Sequence, residues 1–232
     1  MHGATRRDAL DPLPYTTEWP SLRSATGRVD IHSLAAFWVR ETKVSGAYLE
    51  FGVGRGRSAV ASIRANLRDN PGTVSPFVLF DSFRGLPELT SLDTGSSQFK
   101  PGDFAFSMDQ VRGFLAEHGI PKETPVIMIP GWFDESLPAF DPAKHGVNKA
   151  AIVHVDVDLY ASCAVVLRFV RPLLQAGTIM LFDDWNAFGA SDRKGERAAT
   201  AEWLLQNPLV RLTEYASYGW HGKAFVVDLL DT

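Results

Sequence analysis

Apolar residues in the middle of the chain fall in short unbroken runs rather than in strict alternation. The runs are GAYLEFG (46–52), PFVLFD (76–81), PVIMIPG (125–131), AAIVHVDVD (150–158) and GTIMLFDD (177–184). Continuous runs of this length predict strands covered on both faces. Between them, RSAVASIRANLRD, SMDQVRGFLAEHG and YASCAVVLRFVRPLLQAG repeat apolar residues at helical spacing. An earlier helix is predicted over DIHSLAAFWVRETK, with Asp30 as its N-cap. Strands alternating with helices predict an α/β fold, with a mainly parallel sheet and helices on both faces. After a last helix, GERAATAEWLLQN, the runs VRLTEYA and GKAFVVDLL predict an antiparallel C-terminal edge.

The pattern changes in two places. Residues 1–29 are polar and broken by Pro12, Pro14, Pro20 and Gly27, and are expected to form an irregular arm. Residues 30–232 then form one domain. Within it, ELTSLDTGSSQFKPGDFAF (88–106) is too long and polar for a plain connector and reads as a lid or insertion loop.

Composition narrows the class. With 232 residues and 45% hydrophobic content the chain can bury a sizeable core. A net charge of −4 gives no basic footprint for nucleic acid or an anionic membrane. Cys163 is the one cysteine, so no intrachain disulfide is possible and a reducing compartment is expected. No apolar run approaches the roughly 20 residues of a membrane span, and the N-terminus has no apolar signal core, so a cytoplasmic protein is expected. A homo-oligomer in which the arm covers a partner's site is compatible with this sequence but not required by it.

Candidate chemistry begins after the first strand. YLEFGVGRGRS sets Gly52, Gly54 and Gly56 between that strand and a helix. Glycine lets the backbone turn tightly and approach a ligand, and a helix N-terminus favours an anionic group. The dinucleotide fingerprint G-x-G-x-x-G fails, because Arg57 stands at the third glycine position. Glu50 would repel a pyrophosphate there and suits a cation such as an amino acid's ammonium. Ser58 opens the helix and is placed to hold the carboxylate of the same amino acid. Asp81, followed by Ser82 and Phe83, ends the second strand, where an acid can accept both hydroxyls of a ribose. Gly131, Trp132 and Phe133 in IPGWF offer backbone and an aromatic face to a nucleobase. A nucleoside joined to an amino acid, cationic at its centre, is S-adenosylmethionine (SAM).

YLEFGVGRGRS, FDSFRGLPE, VRGFLAEHGI, GWFDESLP, HVDVDLYAS and LLQAGTIMLFDDW together resemble a class I SAM-dependent methyltransferase, and more narrowly the macrocin O-methyltransferase (TylF-like) family. The matching segments cover about residues 47–186 in the family's order, and FDSFxGLP, DxDLY and DDW are the specific ones. The resemblance implies a Rossmann-like, seven-stranded SAM-binding fold. It also implies a divalent metal, usually magnesium, and methylation of a hydroxyl on a sugar or natural product. Asp156, Asp183 and Asp184 match the family's acids. Where the family commonly has LRxDGDxY this chain has VHVDVDLY, so His154 and Val157 replace Arg and Gly, and Trp185 replaces a Tyr.

Two adjacent carboxylates repel, and a cation relieves them. Asp183 and Asp184, with Asp156 from a neighbouring strand end, offer the hard oxygens that magnesium prefers. Vicinal hydroxyls of the acceptor would complete its shell. Asp156 or Asp158 then takes the hydroxyl proton, with His221 as a second candidate base. Trp38, Trp203 and Phe169 are expected in the core, and Trp185 and Trp220 at the pocket. His154 is expected to be a buried, hydrogen-bonded histidine. A non-haem iron site from His154, Asp156 and His221 is disfavoured, because such sites usually occupy all-β folds. The competing readings are a nicotinamide-dependent oxidoreductase, opposed by Arg57 and Glu50, and a non-catalytic SAM-binding protein, opposed by the three intact acids.

Overall fold

A computed structural model describes residues 30–94 and 99–230; the arm expected over 1–29 lies outside them. Every predicted strand and helix is present. The strands are β1 (Gly46–Phe51), β2 (Val74–Asp81), β3 (Val126–Pro130), β4 (Ala150–Val155), β5 (Ile179–Phe182), β6 (Val210–Tyr218) and β7 (Gly222–Leu229). The helices are α1 (Ile31–Thr42), α2 (Arg57–Asp69), α3 (Met108–Glu117), α4 (Phe133–Ala139), α5 (Tyr160–Val170), α6 (Ala187–Ala190) and α7 (Gly195–Gln206). Asp30 caps α1 by accepting the Ser33 amide, as its position before the apolar repeat predicts. The short α4 and α6 were not anticipated. Pro138 lies inside the first, and Phe188 and Gly189 break the second with left-handed backbone.

The seven strands form one sheet in the order β3-β2-β1-β4-β5-β7-β6. Pairs from β3 through β5 are parallel, and β7 runs antiparallel to both β5 and β6. The antiparallel edge is therefore made by inserting the last strand beside β5. Side chains alternate between two cores. Leu49, Phe51, Phe80 and Phe182 meet Leu137, Cys163, Val166 and Trp203 from α4, α5 and α7. Tyr48, Phe77, Leu79 and Leu181 meet Leu34, Val39, Val60, Ile63 and Phe114 from α1, α2 and α3. The chain winds outward from β1 in one direction and from β4 in the other, so a crevice opens at their carboxyl ends, where open α/β sheets bind ligands. No helix among the described residues is long and apolar enough to cross a membrane.

Candidate active site

The backbone ladder continues past the strands into the crevice. The Gly52 amide bonds to Phe80 O at 2.9 Å, the Asp156 amide to Phe51 O at 2.9 Å and the Asp183 amide to Val155 O at 2.9 Å. Three loop ends are thereby fixed on one rim. Gly52 has φ +81, and a Cβ there would lie 1.7 Å from Asp156 O, so only glycine lets the loop cross the end of β4. A cavity of about 1010 Å³ occupies the crevice. It is lined by Gly52, Gly54, Asp81, Ser82, Gly131, Trp132, Phe133, Asp156, Asp158, Asp183, Asp184 and His221, all expected from the sequence.

Four expected cofactor residues fall elsewhere. Gly56 caps α2 with φ 95 and packs against Val111 of α3. Phe83 joins the core beside α3. Glu50 shares the face of Tyr48, is fully buried and does not line the cavity. It accepts hydrogen bonds from Tyr48 Oη at 2.6 Å and from Ser58 Oγ at 2.5 Å. Ser58 is thus committed to Glu50. His154 is buried as expected, but its ring nitrogens have no hydrogen-bond partner. Its Nδ1 lies 3.8 Å from Glu50, an ion-pair distance rather than a hydrogen bond. Burial disfavours its charged form, yet the neighbouring Glu50 outweighs this and raises its pKa.

Asp81 organises the rim. One carboxylate oxygen accepts the Val53 and Gly54 amides at 2.7 and 3.2 Å, and the other accepts Phe83 N at 2.6 Å. Burial raises its pKa against those three bonds. A carboxylate has about four acceptor positions, so capacity remains for one ligand hydroxyl.

The acids meet at the ends of β4 and β5. Burial, reinforced by Asp183 and Asp184, holds Asp156 well above the usual carboxylate range. Asp158, in left-handed backbone at φ 60, is raised by burial and by the neighbouring Asp184. Burial and Asp183 push Asp184 up to about 6. Asp183, Asp184 and His221 each offer a ligand atom within 4.8 Å of the others; Asp156 lines the same cavity outside this tight trio. Asp184 Oδ2 is buried without a hydrogen-bond partner. An orphaned acceptor among crowded, partly neutralised acids fits a divalent cation. His221 Nδ1 is hydrogen-bonded to the Asp183 carbonyl, which fixes that nitrogen as the donor and leaves Nε2 free to accept a proton or bind a metal.

Several site residues were not anticipated. Glu196 of α7, buried, accepts the Asp184 amide at 3.1 Å and so holds the acid turn. Arg55 and Arg57 line the cavity from the glycine loop, and Phe99, Phe104 and Phe106 line it from the 88–106 segment. Three phenylalanines in an otherwise polar stretch were the available signal. Trp220 lines the cavity as expected, whereas Trp185 packs on Phe182 and Phe225 in the core. Trp203 is buried as expected, and Trp38 and Phe169 pack against the two cores.

The sequence model of the family described as Macrocin-O-methyltransferase (TylF) matches residues 7–220. The chain belongs to that family. The 8-demethyl-8-(2,3-dimethoxy-alpha-L-rhamnosyl)-tetracenomycin-C 4'-O-methyltransferase of Streptomyces olivaceus is 30% identical over 183 residues, 75% of this chain and 67% of its own length. The mycinamicin III 3''-O-methyltransferase of Micromonospora griseorubida is 27% identical over 153 residues, which is 61% of this chain and 56% of its own length. The chain thus spans roughly half to two thirds of these relatives' lengths. Among solved structures, the calicheamicin methyltransferase CalS11 has a TM-score of 0.69 at 22% identity, covering 85% of this chain and 77% of that one. CalS11 shares this fold. The seven strands agree with what the resemblance implied, and the antiparallel C-terminal edge with the last two apolar runs.

Proposed function

We propose that this chain is a SAM-dependent O-methyltransferase acting on a sugar hydroxyl of a natural-product acceptor, with magnesium held by Asp156, Asp183 and Asp184. One observation carries the reading: a single cavity joins the glycine loop after β1 to the acids after β4 and β5. The Streptomyces olivaceus relative is named for 4'-O-methylation of a rhamnosyl tetracenomycin, which supports a sugar acceptor.

The cofactor half is built by β1, β2 and β3. Gly52 and Gly54 let a ligand approach the backbone, Asp81 offers a remaining acceptor to a ribose hydroxyl, and Trp132 offers an aromatic face. Glu50 acts from behind, as a buried negative charge toward a cationic ligand. SAM supplies an electrophilic methyl group when bound. In the acceptor half, a bound magnesium ion would lower a coordinated hydroxyl's pKa and fix its orientation. Asp183, Asp184 and Asp156 would hold that ion, and His221 Nε2 is a further donor. Asp158, on the cavity wall beside Asp184, accepts the hydroxyl proton; burial raises its pKa and makes it a stronger base than a free carboxylate. Alignment of hydroxyl and methyl within one cavity supplies much of the rate.

Methyl transfer from SAM to a rhamnosylated acceptor is the test, run with EDTA and with Asp156→Asn. Each is expected to lower turnover by roughly 100-fold while S-adenosylhomocysteine still binds. Full turnover under both conditions would rule the metal role out.

A further inference from the structure

The first turn of α7 reaches the site through four consecutive residues. Lys194 Nζ donates to Thr94 O in the 88–106 loop. Gly195 is buried at φ +56, and a Cβ there would lie 3.8 Å from Asp158 O, so the turn after β4 packs on this helix end. Glu196 Oε2 accepts the Asp184 amide at 3.1 Å. Arg197 donates to Asn186 Oδ1 at 3.4 Å and sets its guanidinium 5.5 Å from the centre of the Trp185 ring. Asp184, Trp185 and Asn186, successive residues after β5, are thus held by two successive residues of one helix. Ala199 and Trp203 seat that helix in the core.

Among these contacts, the one made by Glu196 is not explained by stability. Glu196 is 1% exposed, and its Oε1 has no hydrogen-bond partner. A carboxylate is costly to bury unless it is paired or fully hydrogen-bonded. An acid in the first turn favours a helix through its dipole, but an exposed acid does so without the burial. Glu196 does not line the cavity, so it meets no ligand itself.

What it does meet is Asp184. The bond to the Asp184 amide fixes the backbone from which that carboxylate projects. Asp184 Oδ2 is buried without a partner, and Asp183 and His221 offer ligand atoms within 4.8 Å. A small dication tolerates little error in the placing of its oxygens. Groups that orient its ligands from behind change its affinity by about 10- to 100-fold.

We infer that Glu196 is a positioning residue, which holds the Asp184 turn in the arrangement that binds a divalent cation. The inference rests on the metal-assisted O-methyltransferase reading above. Glu196 acts through Asp184 and touches neither the ion nor the acceptor.

The test is magnesium affinity by calorimetry on protein loaded with S-adenosylhomocysteine, with Tm measured alongside, for Glu196→Met and Glu196→Gln. Methionine fills a similar volume and removes the buried acid, so Tm is expected to hold or rise. The Asp184 amide then lacks its acceptor, and magnesium affinity falls about tenfold while S-adenosylhomocysteine affinity stays within about twofold. Glutamine keeps an oxygen acceptor and stays within about threefold of wild type for magnesium. A role in packing alone would move Tm and both affinities together. The inference is overturned by a Glu196→Met variant that binds magnesium as wild type does, or whose S-adenosylhomocysteine affinity falls in step with magnesium. A Glu196→Gln variant as weak as Glu196→Met overturns it too. Wild-type protein that binds no magnesium fails the metal reading itself and this inference with it; variants that bind as wild type fail the inference alone.

Discussion

The glycines of the loop after β1 do different jobs. Gly52 is held by contact: any Cβ would collide with the backbone of Asp156. Gly54, at φ +50, lines the cavity, and a Cβ added there would meet nothing within 4 Å. Gly52→Ala is therefore expected to cost about 3 kcal/mol or more and to displace an acid of the site. Gly54→Ala costs only about 1 kcal/mol of backbone strain, yet puts a methyl where the ligand approaches. Its S-adenosylhomocysteine affinity should fall about tenfold, or 1.4 kcal/mol. Thermal melts and calorimetry on the two variants separate these effects; equal melting losses would refute the distinction. The spacing of the glycines was legible in the sequence. Which of them faced open cavity and which met protein was not, because that depends on β4, about a hundred residues away.

Elements show the same division. Each long helix and strand was readable, because local patterning and caps such as Asp30 act within a few residues. The 88–106 segment was readable as special but not as tied down. At its base the Leu86 amide donates to Asp103 O and Leu86 O accepts the Gly102 amide, and Asp93 is fully buried. Asp93 accepts the Tyr160 amide at 2.6 Å and Thr90 Oγ1 at 2.6 Å. It thereby caps α5 from a distant loop, where the helix's own N-cap residue, Leu159, makes no side-chain bond. The expectation for Asp93→Ala is a loss of about 1 kcal/mol, or about 2–4 °C in Tm. Acceptor KM should rise while S-adenosylhomocysteine affinity is kept, since Phe99 and Phe104 come from this loop. An unchanged acceptor KM would show that the loop's anchoring does not shape the acceptor half.

For the whole molecule, the acids set a stability trade against pH. The Asp184 pKa is about 6 in the folded chain against 3.8 for the free side chain. Below roughly pH 4 both states carry the proton and nothing is lost. From about pH 4 to 6 the folded state holds more protons than the unfolded chain, so stability falls as pH rises. Above that window the full cost, about 3 kcal/mol, persists. A cation binds the ionised acids, so the magnesium-induced rise in Tm should be larger at about pH 7.5 than at about pH 5. A thermal shift independent of pH would argue against a cation at this cluster. The sequence alone determined where strands and helices form and that acids stand at the ends of β1, β2, β4 and β5, because those features are set by neighbours along the chain. Tertiary structure alone decided which acids share a cavity. Strand register put Glu50 on the face of Asp81, Asp156 and Asp183 but inside its strand, where Tyr48 and Ser58 enclose it. Strand order brought the β6–β7 turn and the 88–106 loop to the rim, because long-range packing sets which strands become neighbours.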